Sequence, residues 1–229
     1  AHNERAHKLY LSLGFEEECR LQKACVTGGA DGDEIAMGRL RPGFVPPPPK
    51  PFTLPEAMKG EPAPTRIRPL RREDCADIAS YQALSGLFEN LNTLPSETVP
   101  AMEKWYDQLN PYNDFLLAAI VEESGKERAV GVVSMEVSPN PRLRHVGTMG
   151  IGVAPEFQNR GIGRRLMEAM LDVADNWMAP GRLQLTVLAG NHPAQALYRR
   201  QGFQEEGRYR ASSTFAGGYV DEIAIARLR

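Results

Sequence analysis

The sequence predicts an α/β (α+β) fold, a mixed sheet flanked by helices, and three observations carry that prediction. Residues Val146–Val153 are apolar and punctuated by glycines, which suits a strand, and a glycine-rich turn follows. Ile162, Leu166, Met170, Leu171 and Val173 then recur at helical spacing, so a helix starts near Gly161 and continues through Trp177. Phe115–Val121 and Ala129–Val137 are β-rich runs joined by the turn residues Glu122–Glu127, the pattern of a strand meander.

From the N-terminus onward, Asn3–Glu18 aligns without gaps on Asn191–Glu206, and Asp33–Arg41 aligns on Asp221–Arg229. Roughly 17 of about 39 aligned positions are identical, the mark of an internal repeat made of one helix and two strands. Residues 42–64 read as a linker. Pro46–Pro49 favour stiff polyproline II, and Pro42, Pro51, Pro55, Pro62 and Pro64 keep helix and sheet out of the rest. A complete domain then spans 65–229. It opens with a short strand, Ile67–Leu70, and a helix from Arg71 with Ile78, Tyr81 and Leu84 on one face. Leu87–Val99 is irregular, and Pro100–Leu109 is a helix with proline in its first turn. After the meander come a strand over Arg142–Val153, the glycine-turn helix, a strand Leu183–Leu188, a helix from Asn191 and a final hairpin.

Composition excludes several classes. A net charge of −2 argues against a nucleic-acid binder working through a general basic field. Three cysteines, Cys19, Cys25 and Cys75, lack metal-ligand spacing and read as reduced thiols in a cytoplasm. No apolar run approaches membrane-spanning length, so neither a metal nor a membrane is expected.

The strand, glycine turn and helix N-terminus form an anion site. First-turn N–H groups and the positive end of the helix dipole face the ligand, and glycines let a phosphate reach the backbone. Arg160, Arg164 and Arg165 add cations beside it. No Lys-Ser or Lys-Thr follows Gly163, so this is not a nucleotide-triphosphate loop. The pattern Gln158-x-x-Gly161-x-Gly163 resembles the acetyl-CoA pyrophosphate loop of the GNAT superfamily of N-acetyltransferases. The stretch Asn191-x-x-Ala194-x-x-x-Tyr198 followed by Gly202-Phe203 is similar to that family's second motif, in the right order. Shorter matches, among them Asn92–Leu94, Arg144–Val146 and Gly218–Asp221, resemble the bacterial L-amino acid and phosphinothricin acetyltransferase branch.

The resemblance implies a GNAT fold with a mostly antiparallel central sheet, acetyl-CoA as cofactor and a small-molecule primary amine as substrate. An amino acid or analogue is the expected acceptor, and the amine attacks the thioester directly. Main-chain groups of Ile151 and Val153 would hold the pantetheine arm. Gln158, Asn159, Arg160, Gly161, Gly163 and Arg164 would cradle the pyrophosphate, with Asn191 and Tyr198 contacting the cofactor from the second motif. Tyr198 would act as general acid to the leaving thiolate. Thr93, Leu94 and Thr148 fall at substrate-binding positions. Thr148 stands where the branch carries an acid, and its hydroxyl cannot serve as base. His145 and Glu136 are the remaining candidates for that proton. A protein N-terminus or lysine acceptor, or a non-catalytic acyl-CoA-binding module, are the competing readings. On this resemblance, residues 1–41 are the end of an upstream acetyltransferase domain or a retained add-on. Packing against that domain, or a homodimer, is the expected assembly.

Overall fold

The computed structural model describes residues 3–48, 65–84, 98–215 and 217–229, with Leu87 and Ser96. In chain order these form α1 (Glu4–Ser12), β1 (Glu16–Thr27), β2 (Ala30–Gly38), β3 (Arg66–Pro69), α2 (Cys75–Gln82), α3 (Val99–Asp107) and β4 (Asp114–Glu123). There follow β5 (Lys126–Val137), β6 (Val146–Val153), α4 (Ile162–Val173), β7 (Arg182–Leu188), α5 (His192–Arg200), β8 (Gln204–Phe215) and β9 (Gly218–Leu228). The class is α/β, as the sequence predicts. The chain divides into two compact units, Thr53–Val137 with Thr148–Ala179, and Ala1–Phe52 with Ser138–Gly147 and Pro180–Arg229.

In the first of these units the strands run β6-β5-β4-β3, and β4 is antiparallel to both β3 and β5. Ala118–Val121 of β4 are buried on both faces, which removes the alternation of a one-sided strand. The β4–β5 turn is only Ser124–Gly125, both at positive φ, tighter than the six-residue turn the sequence suggests. α2 ends at Gln82, so Ile78 and Tyr81 are buried while Leu84, beyond the helix, is exposed. α4 buries Ile162, Leu166, Met170 and Leu171 of the predicted stripe, each worth about 1.5–3 kcal/mol, and Met167 besides, while Val173 at its end is half-buried. Gly131 lets it sit this close, since a Cβ there would meet Leu166 Cδ1 at 3.0 Å and the Gly152 carbonyl at 3.1 Å. Past Val173 the helix widens into a π turn, Ala174–Met178.

In the other unit the order is β2-β1-β8-β9-β7, with antiparallel pairing between β1 and β2, β1 and β8, β8 and β9, and β9 and β7. The internal repeat is present here as structure. Asn3 caps α1 through Ala6 N–H at 3.1 Å, and Asn191 caps α5 through Ala194 N–H at 3.2 Å. Tyr10–Phe15 and Tyr198–Phe203 form tilted ring pairs at 5.5 and 5.9 Å. Gly14 and Gly202 are both left-handed, and Lys23 and Ala211 share a positive φ with their N–H bound by Asp33 and Asp221. The register of β1–β2 slips between Leu21 and Cys25, and that of β8–β9 slips between Tyr209 and Ser213. Cys19 pairs directly with Gly207, its own repeat counterpart, so a local two-fold passes between them. Gly207 makes the approach possible: a Cβ there would lie 2.5 Å from Cys19 Cα.

Of the linker, residues 42–48 carry neither helix nor strand. The Tyr219 N–H donates to the Pro47 carbonyl at 3.1 Å, and Phe44 meets the Tyr219 ring edge-on. The remainder, 49–64, lies outside the described residues.

Candidate active site

β6 delivers its chain end to the loop. Ala154 N–H bonds the Val130 carbonyl at 2.8 Å, and Ser134 Oγ reaches the Gly150 carbonyl at 3.5 Å, fixing β6 against β5. A single 3-10 turn, Pro155–Phe157, then leads into the loop. Gln158 Nε2 returns to the Val153 carbonyl at 3.0 Å and ties the loop to the strand end. Asn159 and Gly161 are both left-handed, at φ 59° and 79°. Such residues turn successive N–H groups toward one concave side. Gly161 is the N-cap of α4, and no side chain caps this end. Arg165 N–H is the first to find the helix ladder, at Gly161 C=O, 3.1 Å. The N–H groups of Ile162, Gly163 and Arg164 therefore precede the ladder, as an anion site requires.

The cations around this end differ in role. Arg160 lies over the Phe157 ring, 5.4 Å from its centroid, and its Nε is buried without a hydrogen-bond partner among the described residues. An orphaned buried cationic donor beside three open N–H groups fits an anionic ligand such as a pyrophosphate. Arg164 is exposed and 3.5 Å from Glu168, one turn along the helix. Arg165, which the sequence places as a further cation beside the loop, donates its Nη1 to Thr65 Oγ1 at 3.0 Å. On the neighbouring face, Thr148 and Gly150 of β6 and Glu136 of β5 are exposed. The register set by the Ala154–Val130 and Ser134–Gly150 contacts puts Glu136 across from Thr148. Ile151 and Val153 are half-buried at the strand end, with the Val153 carbonyl already used by Gln158. Thr93 and Leu94 lie outside the described residues.

The second motif lies in the other unit. Tyr198 is 5% exposed, and burial pushes its phenol well above the ordinary tyrosine value. Its hydroxyl therefore holds its proton throughout the neutral range. Gln195, which the sequence reading passed over, is buried and grips the end of β7. Its Nε2 donates to the Leu188 and Ala189 carbonyls at 3.2 and 2.9 Å, and its Oε1 accepts from Arg199. It stands four residues after Asn191, on the face of α5 that the cap defines, and that spacing was the available signal.

His145 has another occupation. Its Nε2 lies 2.7 Å from the Lys23 carbonyl of β1, and a carbonyl only accepts, so this nitrogen carries the hydrogen. Beside it Arg142 donates to the Val26 carbonyl at 2.9 Å and Arg182 to the Gln22 carbonyl at 2.6 Å. Three side chains thus take β1 carbonyls in and beside the slipped stretch of the repeat hairpin.

Residues 81–203 match a family model described as the acetyltransferase (GNAT) family. An L-amino acid N-acetyltransferase (AaaT) of Escherichia coli is 37% identical over 165 residues, covering 71% of this chain and 97% of that protein. A thialysine N-epsilon-acetyltransferase of Mus musculus is 29% identical over 168 residues, covering 71% of this chain and 98% of that protein. The crystal structure of a GNAT-family acetyltransferase from Streptococcus pneumoniae matches with a TM-score of 0.61 at 25% identity, covering 72% of this chain and 98% of that one.

Proposed function

The chain belongs to the acetyltransferase (GNAT) family, and from that premise we propose that it transfers the acetyl group of acetyl-CoA to the primary amine of a free amino acid or close analogue. The observation that carries the reading is the uncapped N-terminus of α4 with the orphaned Arg160 beside it, a fit for the pyrophosphate of coenzyme A. The substrate class is supported by two relatives whose names state amino acid acceptors, L-amino acids and thialysine.

Acetyl-CoA supplies an acyl carbon on a thioester, which a neutral amine attacks and from which a thiolate departs. The loop N–H groups of Ile162, Gly163 and Arg164, with Arg160 and Arg164, bind the pyrophosphate. Asn159 and Gly161 keep those groups turned to one side. Main-chain groups of β6 at Ile151 and Val153 hold the pantetheine arm. Tyr198 keeps its proton at Oη because its site is buried, gives it to the departing sulfur, and is restored by the proton that the acylated nitrogen sheds. Glu136 accepts the proton of the incoming ammonium, directly or through water, from across the strand pair at the position where Thr148 replaces an acid. This role goes to Glu136 because the strand register sets it across from Thr148.

Coenzyme A release from acetyl-CoA is measured against a panel of amino acids, polyamines and peptides. Turnover with an amino acid is expected, with Tyr198→Phe lowering kcat about 10²- to 10⁴-fold and Glu136→Gln lowering it by a similar range. Binding of acetyl-CoA without turnover on any acceptor would sink the enzymatic reading in favour of a binding module. Turnover confined to peptides would overturn the substrate class.

A further inference from the structure

The repeat allows each residue of α1, β1 and β2 to be compared with a counterpart in α5, β8 and β9 of the same fold. The comparison shows a face that is covered in one copy and bare in the other. Tyr198 is 5% exposed, whereas Tyr10 is 45% exposed. Ile223 and Ile225 are buried, whereas their counterparts Ile35 and Met37 are only partly so. α5 buries Gln195 and Tyr198, whereas α1 buries no residue and leaves Leu9 and Leu13 in solvent. Tyr10, Phe15, Ile35 and Met37 instead line an open cavity of about 510 Å³.

The strand order makes the same point. β9 is central, paired with β8 on one side and β7 on the other, while its counterpart β2 is paired with β1 alone at the end of the order. In β9, Ile223 and Ile225 stand opposite Val187 and Leu185 of β7. Ile35 and Met37 of β2 hold the equivalent places with no strand beyond them among the described residues.

We propose that the bare face of α1 and the outer edge of β2 seat the body of a second acetyltransferase domain, one that offers a free strand equivalent to β7. A strand of that body equivalent to β7 pairs antiparallel with β2, its apolar residues opposite Ile35 and Met37. The new strand continues the sheet order past β2, beyond the β1–β8 junction that already joins the two copies across their local two-fold. A second copy of this chain cannot supply the strand, because its own β7 is already paired with β9. The inference rests on the repeat and not on the chemistry proposed above.

The test mixes the full chain with a probe made of residues 65–190 of the same sequence, which carries β7 but lacks α5 and the closing hairpin. A one-to-one complex by light scattering is expected, with exchange of the β2 backbone amides slowed about tenfold or more. Met37→Asp in the full chain should abolish the complex while leaving its circular dichroism unchanged. If the probe is insoluble alone, co-expression with the full chain should rescue it. A probe that folds without binding, or that stays insoluble even when co-expressed, overturns the proposal. So does a homodimer of the full chain in which the β2 amides are protected without any probe.

Discussion

Arg182→Met tests how the unit holding the second motif is held together. Arg182 opens β7, and its side chain is 1% exposed. It donates to Gln184 Oε1 at 2.8 Å, to the Gln22 carbonyl at 2.6 Å and to both oxygens of Glu206, whose side chain is 5% exposed. Methionine fills the space but leaves Glu206 with one partner from this cluster, the Gln22 N–H at 2.9 Å. Stranding one member of a buried pair costs about 3–5 kcal/mol. Against a domain stability of about 5–15 kcal/mol that is a large share. At about 2–4 °C per kcal/mol for a chain of this size, Tm should fall by roughly 6–20 °C. Circular dichroism on heating and urea titration both read it. Adding Glu206→Leu removes the stranded charge and should restore most of the loss, because an apolar pair in place of a buried ion pair is close to neutral. A single variant that loses under about 1 kcal/mol, or a double variant no more stable than the single, would refute the reasoning.

Three further outcomes follow from the geometry. Gly161→Ala meets no atom within 4 Å, so its whole cost is the left-handed φ of 79°, about 1–2 kcal/mol, and KM for acetyl-CoA should rise about five- to thirtyfold in initial-rate measurements. An unchanged KM would mean the loop conformation does not serve the cofactor. Tyr81 is fully buried and its hydroxyl has no partner among the described residues, so Tyr81→Phe should be neutral or stabilising by about 1 kcal/mol in urea titration; a clear loss would reveal a partner for that oxygen. Tyr198 has its pKa raised by burial, so its stabilising effect is fully present below the unfolded value near 10 and is lost as pH rises through the folded value. The pH profile of kcat/KM should accordingly show no falling limb from Tyr198 below about pH 10. A limb below that pH which vanishes in the phenylalanine variant would contradict a buried general acid.

What the sequence made legible was local. The stripe Ile162–Leu171 lies on one helix face because the period of 3.6 is written within a dozen residues. The turn at Gly161 shows because few other residues accept its φ. The repeat was legible down to its left-handed glycines, since those positions constrain identity and the two copies could be compared directly. Arg182 was not legible: an arginine opening a strand reads as solvated, and its partners Gln22 and Glu206 are 160 and 24 residues away. The same limit governs His145, whose Nε2–H is met by the carbonyl of Lys23, 122 residues earlier. Arg165 shares the loop's charge but is bound to Thr65, 100 residues upstream. Each of these side chains is legible as a charge or a titrating group, and its partner is not. A partner is fixed by which backbone carbonyls and carboxylates the sheet leaves unpaired. In this chain the carbonyls at Gln22 and Lys23 are open because β1 slips its register after Leu21, a property of the hairpin and not of the residues that answer it.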